Sequence, residues 1–397
     1  MNKKRTVITT YKDTTLKTYK HLFEQLIEDD NLIKLAILDA SKGKRHRKDV
    51  QEILDNIEEH IPIIKQILID GTFKAPKHKP KLINEHCSKK TRKIICPQFV
   101  YEHIIHHMVI LVLEPLFRNR LYPLSCSSIA TKGGLYGKIK LEKFLRKQHG
   151  KKLYVLKFDI SKFFDSISRL LLESQLRKYI KDEKFMQLMH KIIFYDMSFT
   201  GIPIGFYTSQ WLSNFYLTTF DFFITHKLSI DYYMRYADDC VLISNNKDKL
   251  HRASKSIRKF LKSLKLNIKN DWQIYRFSYI NKEGKECGRF IDFMGFQFHC
   301  NRTTLRKSIL CRNRKRCNRV HNKQLKHKPI TWYDGCQIIS QQGWFKNTNT
   351  YNYYVKYIKP KININLCKQL MARHIRRAVK NIYEVKVVFK YDNIRVS

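Results

Sequence analysis

The stretch YYMRYADDCVLIS, residues 232–244, sets two carboxylates, Asp238 and Asp239, between runs of aromatic, apolar and β-branched residues. Those flanking runs predict two strands joined by a tight turn. Buried strands shun adjacent acids, because a desolvated carboxylate is costly unless it is paired or bound to metal. A third acid, Asp159, closes the strand-like run YVLKFD at 154–159. Three carboxylates converging from two strand elements suit a pair of Mg²⁺ ions about 3.5–4 Å apart. One ion would activate an attacking hydroxyl and the other would hold a triphosphate. Phosphoryl transfer of that kind needs mostly positioning and charge from the protein.

The bulk numbers fit such a substrate. The chain has 397 residues, 43% of them hydrophobic and 13% aromatic, which predicts a globular protein of two or three domains. Lys and Arg number 77 against 34 Asp and Glu, a formal charge of +43. An excess of that size repels itself unless a polyanion is present, and nucleic acid is the partner it favours. Ten cysteines lie scattered with no CxxC pair, so neither a zinc finger nor a disulfide framework is expected, and a reducing cytoplasm is. The basic start MNKKRTV lacks the apolar core of a signal peptide, and no membrane span is expected.

Along the chain, residues 1–75 read as helices. The segment 74–97 is Pro-rich and basic with short extended stretches, and QFVYEHIIHHMVILVLEPLFRNRL (98–121) reads as an apolar helix. It carries His103, His106 and His107 without nearby Cys or carboxylate partners, so they read as core rather than as a metal site. Gly201, Pro203 and Gly205 break FTGIPIGFYTSQ into a loop ahead of another helix. FIDFMGFQFHC (290–300) reads as a strand pair, and YEVKVVFKY (383–391) as a final strand. From Arg302 to Lys328 there are eleven Lys and Arg and no acid.

With these motifs in place, the sequence resembles the reverse transcriptases of the bacterial group II intron-related kind, over about residues 80–360. YADD (236–239) matches the family's YxDD box and FDISKFFDSI (158–167) its first metal-binding motif. KKTRKI (89–94) is similar to the fingertip that grips the incoming triphosphate. GIPIGFYTSQWLSNFYL (201–217) matches the loop and helix under the template, and FMGF (293–296) resembles the primer grip.

The resemblance implies an α+β right-hand polymerase. Its parts would be an N-terminal helical extension (1–75), fingers (76–150), a palm with an antiparallel sheet (151–296), and a basic helical thumb with a tail (297–397). Catalysis would fall to Asp159, Asp238 and Asp239, with the backbone of Ile160 joining them as metal ligands for two Mg²⁺, for which Mn²⁺ can substitute. Asp165 is the alternative to Asp159 as ligand, or else a helix cap. Lys90, Arg92, Phe164, Ile204 and Gln210 would contact the nucleotide, Phe164 excluding a 2′-hydroxyl; Phe163 is its alternative. Phe293, Met294, Gly295, Arg306, Lys307, Arg312, Arg314, Lys315 and Arg316 would hold primer and template, with phosphate contacts setting register. Trp332, Trp344 and Tyr351 read as thumb core or as stacking platforms.

The implied partners are a structured RNA template, a DNA primer and product, and deoxynucleoside triphosphates, with an accessory protein or a second copy left open. The form IGFYTSQ, where intron enzymes usually have QGxxxSP, is similar to diversity-generating retroelement enzymes and to defence-associated bacterial enzymes. Phe206, and Lys132-Gly133-Gly134 in place of Gly-Arg-Gly, depart from the first of these. A non-catalytic or protein-primed nucleic-acid binder is the reading from another class.

Overall fold

A computed structural model describes residues 17–85 and 90–380. The N-terminal run and the strand expected at 383–391 lie outside the described residues. The chain is α+β and divides between Arg276 and Phe277 into two compact units.

The first unit opens with four helices, α1 (Leu22–Glu28), α2 (Asp30–Ser41), α3 (Lys48–Asp55) and α4 (Ile57–Ile69). Asp29 caps α2, accepting from the Asn31 and Leu32 amides. A two-stranded antiparallel ribbon follows, β1 (Lys81–Glu85) with β2 (Lys90–Ile94), in the register Ile83 opposite Arg92. The next helix, α5 (Ile104–Arg120), is buried on nearly every side. With the turn before it, residues 99–120 form a helix long and apolar enough to cross a membrane, which the sequence reading did not foresee. However, 72% of its apolar window is packed inside the fold, and it serves as a core helix. Next in chain order come α6 (Gly134–Lys147), ahead of the first strand of the central sheet, and α7 (Phe163–Ser166), α8 (Arg169–Arg177) and α9 (Glu183–Ile193) after that strand. After them come α10 (Tyr207–Tyr216) and α11 (Thr218–Phe222).

The central sheet has the order β4-β5-β3-β6, all antiparallel, from β3 (Tyr154–Asp159), β4 (Tyr232–Tyr236), β5 (Asp239–Ser244) and β6 (Gln273–Arg276). Side chains alternate across a strand. On one face Leu156, Phe158, Cys240 and Leu242 join the main core, where Leu250, Ala253, Ile257 and Leu261 of α12 (Lys247–Ser263) meet them. Val155, Lys157 and Asp159 of β3 therefore lie on the opposite face, beside Ile243, Val241 and Asp239 of β5.

The second unit contains a short ribbon, β7 (Tyr279–Ile280) with β8 (Glu286–Cys287), and a three-stranded antiparallel sheet. That sheet is built from β9 (Ile291–Phe293), β10 (Phe296–Phe298) and β11 (Thr303–Leu305). Four helices complete it: α13 (Lys307–Leu325), α14 (Trp332–Lys346), α15 (Tyr351–Tyr357) and α16 (Ile364–Lys380). A capping box starts α14, with Thr331 and Asp334 exchanging side-chain and backbone bonds.

Candidate active site

Tyr236 pairs with Asp239, so the turn between β4 and β5 is only Ala237 and Asp238. Ala237 sits at φ +54, a conformation costing about 1–2 kcal/mol for a residue with a Cβ. A buried ion pair beneath the turn holds it there. The Arg235 guanidinium, fully buried, gives Nη1 to the Ala237 carbonyl at 3.1 Å and to Asn214 Oδ1 at 3.0 Å. Its Nε and Nη2 donate to the Asp221 carboxylate at 2.9 and 2.7 Å, and Tyr233 Oη donates to the same group at 2.7 Å.

The ladder then sets the carboxylates. Asp159 is the cross-strand partner of Asp239, and the Ile160 amide donates to the Asp238 carbonyl at 3.2 Å. Two ammonium groups attend them: Lys269 Nζ lies 3.4 Å from Asp159 Oδ2, and Lys157 Nζ lies 3.5 Å from Asp239 Oδ2. The Lys269 amide also donates to the Asp159 carbonyl at 2.9 Å.

Asp239 is divided. Its Oδ1 is sealed from solvent with no hydrogen-bond partner, while the other oxygen faces Lys157. Burial pushes its carboxyl up to about 7; Lys157 opposes the rise, and the charges of Asp159 and Asp238 add to it. Burial likewise raises Asp238, with Asp159 adding and Lys269 and Arg92 opposing.

Asp238 and Asp239, two carboxyls whose ionisation burial resists, one of them with a sealed orphan oxygen, form with Asp159 a hard-oxygen donor set that its two lysines only partly neutralise. A divalent cation fits that deficit. Among the described residues, no three His, Cys, Asp or Glu side chains are gathered as a ready-made metal cluster. The aspartates instead share their oxygens with the two lysines.

The other expected residues are distributed as follows. Arg92, on β2, is near enough for its charge to act on Asp238. The Lys90 side chain lies outside the described residues. Phe163 is buried core, whereas Phe164 is half-buried and its carbonyl accepts from the Ile202 amide at 2.9 Å. Asp165 is exposed on α7.

The Ile204 carbonyl accepts from the Ile95 amide at 2.8 Å, tying the 201–206 loop to the end of the ribbon. Gly205 makes that approach feasible: at φ +124, a Cβ there would stand 2.2 Å from the Ile95 carbonyl oxygen. Gln210 is exposed on α10.

The remaining expected residues belong to the second unit. Phe293 is wholly buried, and Met294 and Gly295 form the β9–β10 turn at φ +54 and +85. Arg306 pairs with Asp292, and its amide donates to the Gly295 carbonyl at 3.0 Å. Lys307, Arg312, Arg314, Lys315 and Arg316 lie on α13; Arg314 covers the Tyr357 ring at 4.8 Å, and Arg312 Nε is buried without a partner. Trp344 packs on Phe296 at 4.9 Å, while Trp332 is 44% exposed and stacks on His374 at 4.0 Å; Tyr351 is exposed.

Sequence reasoning missed Asp221, Asn214, Arg235 and Lys157 and left Lys269 unassigned. A signal existed for two of them: a lone Arg inside YYMRY and a lone Lys inside YVLKFD are charges in strands that otherwise bury their side chains.

The sequence profile of the family described as reverse transcriptase (RNA-dependent DNA polymerase) matches residues 75–272. The chain is 25% identical over 218 residues to the group II intron-encoded protein LtrA of Lactococcus lactis subsp. cremoris, covering 52% of this chain and 36% of that protein. It is 34% identical over 137 residues to the retron Ec73 reverse transcriptase of Escherichia coli, covering 31% of this chain and 42% of that one. The chain thus spans less than half the length of either relative. Among solved structures, telomerase from Candida tropicalis in complex with a fragment of telomeric RNA aligns at a TM-score of 0.43 and 14% identity, over 78% of this chain and 55% of that one. Apo telomerase from the same organism aligns at 0.41 and 16%, over 56% and 53%.

Proposed function

Since the chain belongs through residues 75–272 to the reverse transcriptase family, we propose that it copies an RNA template into DNA from deoxynucleoside triphosphates. The observation that carries this reading is the register placing Asp159 opposite Asp239, with the Asp238 carbonyl held by the Ile160 amide. Asp159, Asp238, Asp239 and the Ile160 carbonyl would hold two Mg²⁺ ions, replaceable by Mn²⁺. When bound, the metals lower the pKa of the primer hydroxyl and neutralise the leaving pyrophosphate.

The chain's own residues supply the rest. Lys157 opposes the burial-driven rise of Asp239 and Lys269 that of Asp238, and the two ammonium groups orient Asp239 and Asp159. Arg92, with Lys90, is suited to the triphosphate, where a guanidinium fork binds two oxygens at once. The half-buried Phe164 ring, pinned through its backbone to Ile202, would stand against the sugar and reject a 2′-hydroxyl. Ile204 and Gln210 would border the nascent pair. In the second unit, the Phe293–Gly295 turn would steady the primer end, and Arg306, Lys307, Arg312, Arg314, Lys315 and Arg316 the duplex phosphates. The fingers, palm and thumb boundaries named above belong to this proposal, as does a cytoplasmic setting.

In biological role the chain would reverse-transcribe a dedicated structured RNA in antiphage defence. IGFYTSQ supports diversity generation as the second reading, against which Phe206 and Lys132-Gly133-Gly134 count. Sequencing the RNA and DNA that copurify with the protein separates the two roles.

The activity is tested by Asp238→Ala/Asp239→Ala. Deoxynucleotide incorporation should fall about a thousandfold or more, as expected when several kcal/mol of charge stabilisation is removed, while RNA binding persists. Incorporation at the wild-type rate would show that the site lies elsewhere.

A further inference from the structure

Helix α12 carries seven Lys and Arg and a single acid, Asp248. Its apolar stripe faces the side of the central sheet that turns away from the carboxylates. Its outer face is a line of cations. Arg252, Lys255, Lys259 and Lys262 recur every three or four residues, so they stack on one side of the helix, and all four are exposed. Ten residues of helix make that line about 15 Å long.

Of the helix's other three cations, Lys247 opens the first turn, Lys249 lies 3.5 Å from Asp231, and Arg258 covers the Trp272 ring at 4.2 Å. The four in the line have no hydrogen bond or ion pair among the described residues. Like charges at this spacing destabilise a helix by a few tenths of a kcal/mol per pair, where alternating signs would have served solubility as well.

We propose that this outer face of α12 is a second RNA-binding surface, gripping the phosphate backbone of a folded RNA segment distinct from the duplex being copied. A nucleic-acid duplex carries one charge per about 1.7 Å of axis, so a 15 Å line meets about nine phosphates, enough to engage all four cations. The carboxylates lie on the other face of the same sheet, so a short duplex seated on them leaves α12 free. The identification of the polyanion as RNA rests on the polymerase reading; the surface itself rests on the geometry alone.

The test compares wild type with Arg252→Gln/Lys255→Gln/Lys259→Gln/Lys262→Gln. A control removes the same charge from scattered exposed positions, Lys20→Gln/Lys48→Gln/Lys178→Gln/Lys184→Gln. Two readouts are taken: binding of a stem–loop RNA across a salt series, and primer extension on a short template–primer duplex. Every cation that no longer meets a phosphate should reduce the slope of log K against log salt by about one. The α12 variant should therefore show a slope shallower by about three to four, and the control one shallower by less than one. Over a fourfold rise in salt the wild type would then weaken on the order of 100-fold more than the variant. Extension on the short duplex should be unchanged.

Equal slopes, an equal flattening in the control, or a parallel fall in short-duplex extension would each overturn the proposal. So would polyglutamate binding as tightly as the RNA. If no protein, wild type included, extends the short duplex while the slope difference stands, the polymerase reading falls and the α12 surface survives.

Discussion

Replacing Asp221 with Asn should unfold the molecule's central sheet far more readily than a one-atom change suggests. The carboxylate is 2% exposed and answers a guanidinium that is 0% exposed, with two hydrogen bonds from Arg235 and one from Tyr233. An amide keeps the shape but leaves a buried charge unanswered, at a cost of about 3–5 kcal/mol. For a unit of this size, each kcal/mol moves the melting temperature by about 2–4 °C, so the expected drop is roughly 6–20 °C. Stability and positioning are separable with the apolar replacement Asp221→Leu/Tyr233→Phe/Arg235→Met, which removes both charges and the hydroxyl together. Exchanges of that kind are often near-neutral, so melting should recover to within about 2 kcal/mol of wild type. Nothing would then hold the Ala237 carbonyl at its positive φ, and nucleotide incorporation should remain depressed with template–primer affinity intact. Differential scanning calorimetry and single-nucleotide extension read the two effects. An Asp221→Asn protein melting within about 1 °C of wild type would refute the energetic reasoning. Full incorporation by the triple variant would refute the positioning role.

Three further outcomes are expected. Gly205→Ala should destabilise the first unit by about 2 kcal/mol or more than Gly43→Ala does, since both glycines have positive φ but only Gly205 has a carbonyl in the way; equal melting shifts would contradict this. Burial holds His103 and His106 down at about 3 and His107 at about 4, from an ordinary 6.5. Below pH 6.5 the unfolded chain takes up protons that the folded one refuses, so stability falls with pH. Between pH 7 and 5 the three histidines should cost about 4–6 kcal/mol, and Asp239, whose raised carboxyl takes up a proton in the folded state over the same range, should return about 2 kcal/mol. The net loss by urea unfolding should be about 2–4 kcal/mol, and a loss under about 1 kcal/mol would count against it. Finally, Ile204→Gln should lower misincorporation, because a hydrogen-bonding side chain would return beside the nascent pair while the backbone bond to Ile95 stays in place; unchanged error rates would remove the idea.

The sheet and its acids were legible because their signals are local. Short apolar and β-branched runs in YVLKFD and on either side of ADD in YYMRYADDCVLIS mark buried strands, and paired acids beside them demand a charge partner. The ribbon before α5 was legible only as extended pieces, since Lys and Arg are spread through it and no buried face imposes a pattern.

What stayed hidden depends on encounters between distant segments. Asp221 reads as one polar residue in an apolar helix until β4 brings Arg235 beneath it. Lys269 has no visible partner in the sequence because spacing along the chain does not state where β6 will pair with β3, yet the fold sets its amide and its ammonium on Asp159. The closeness of Gly205 to Ile95 likewise exists only once the loop has docked. The long helix 99–120 was legible as apolar, but its hydropathy alone carries no mark of whether protein or lipid will surround it; its packing inside the fold does.

The ribbon of β1 and β2 has a consequence of its own. Leu82 is 72% exposed and Ile83 48%, so little apolar contact supports its ladder. Two strands without a covered face are marginal in water, and the amide protons of 81–84 and 91–94 should exchange with solvent far sooner than those of β3 or β5. An anion that ties Arg92 down would slow that exchange. The free energy of gripping would be spent partly on setting the grip, which makes the segment a reporter of occupancy as well as a contact.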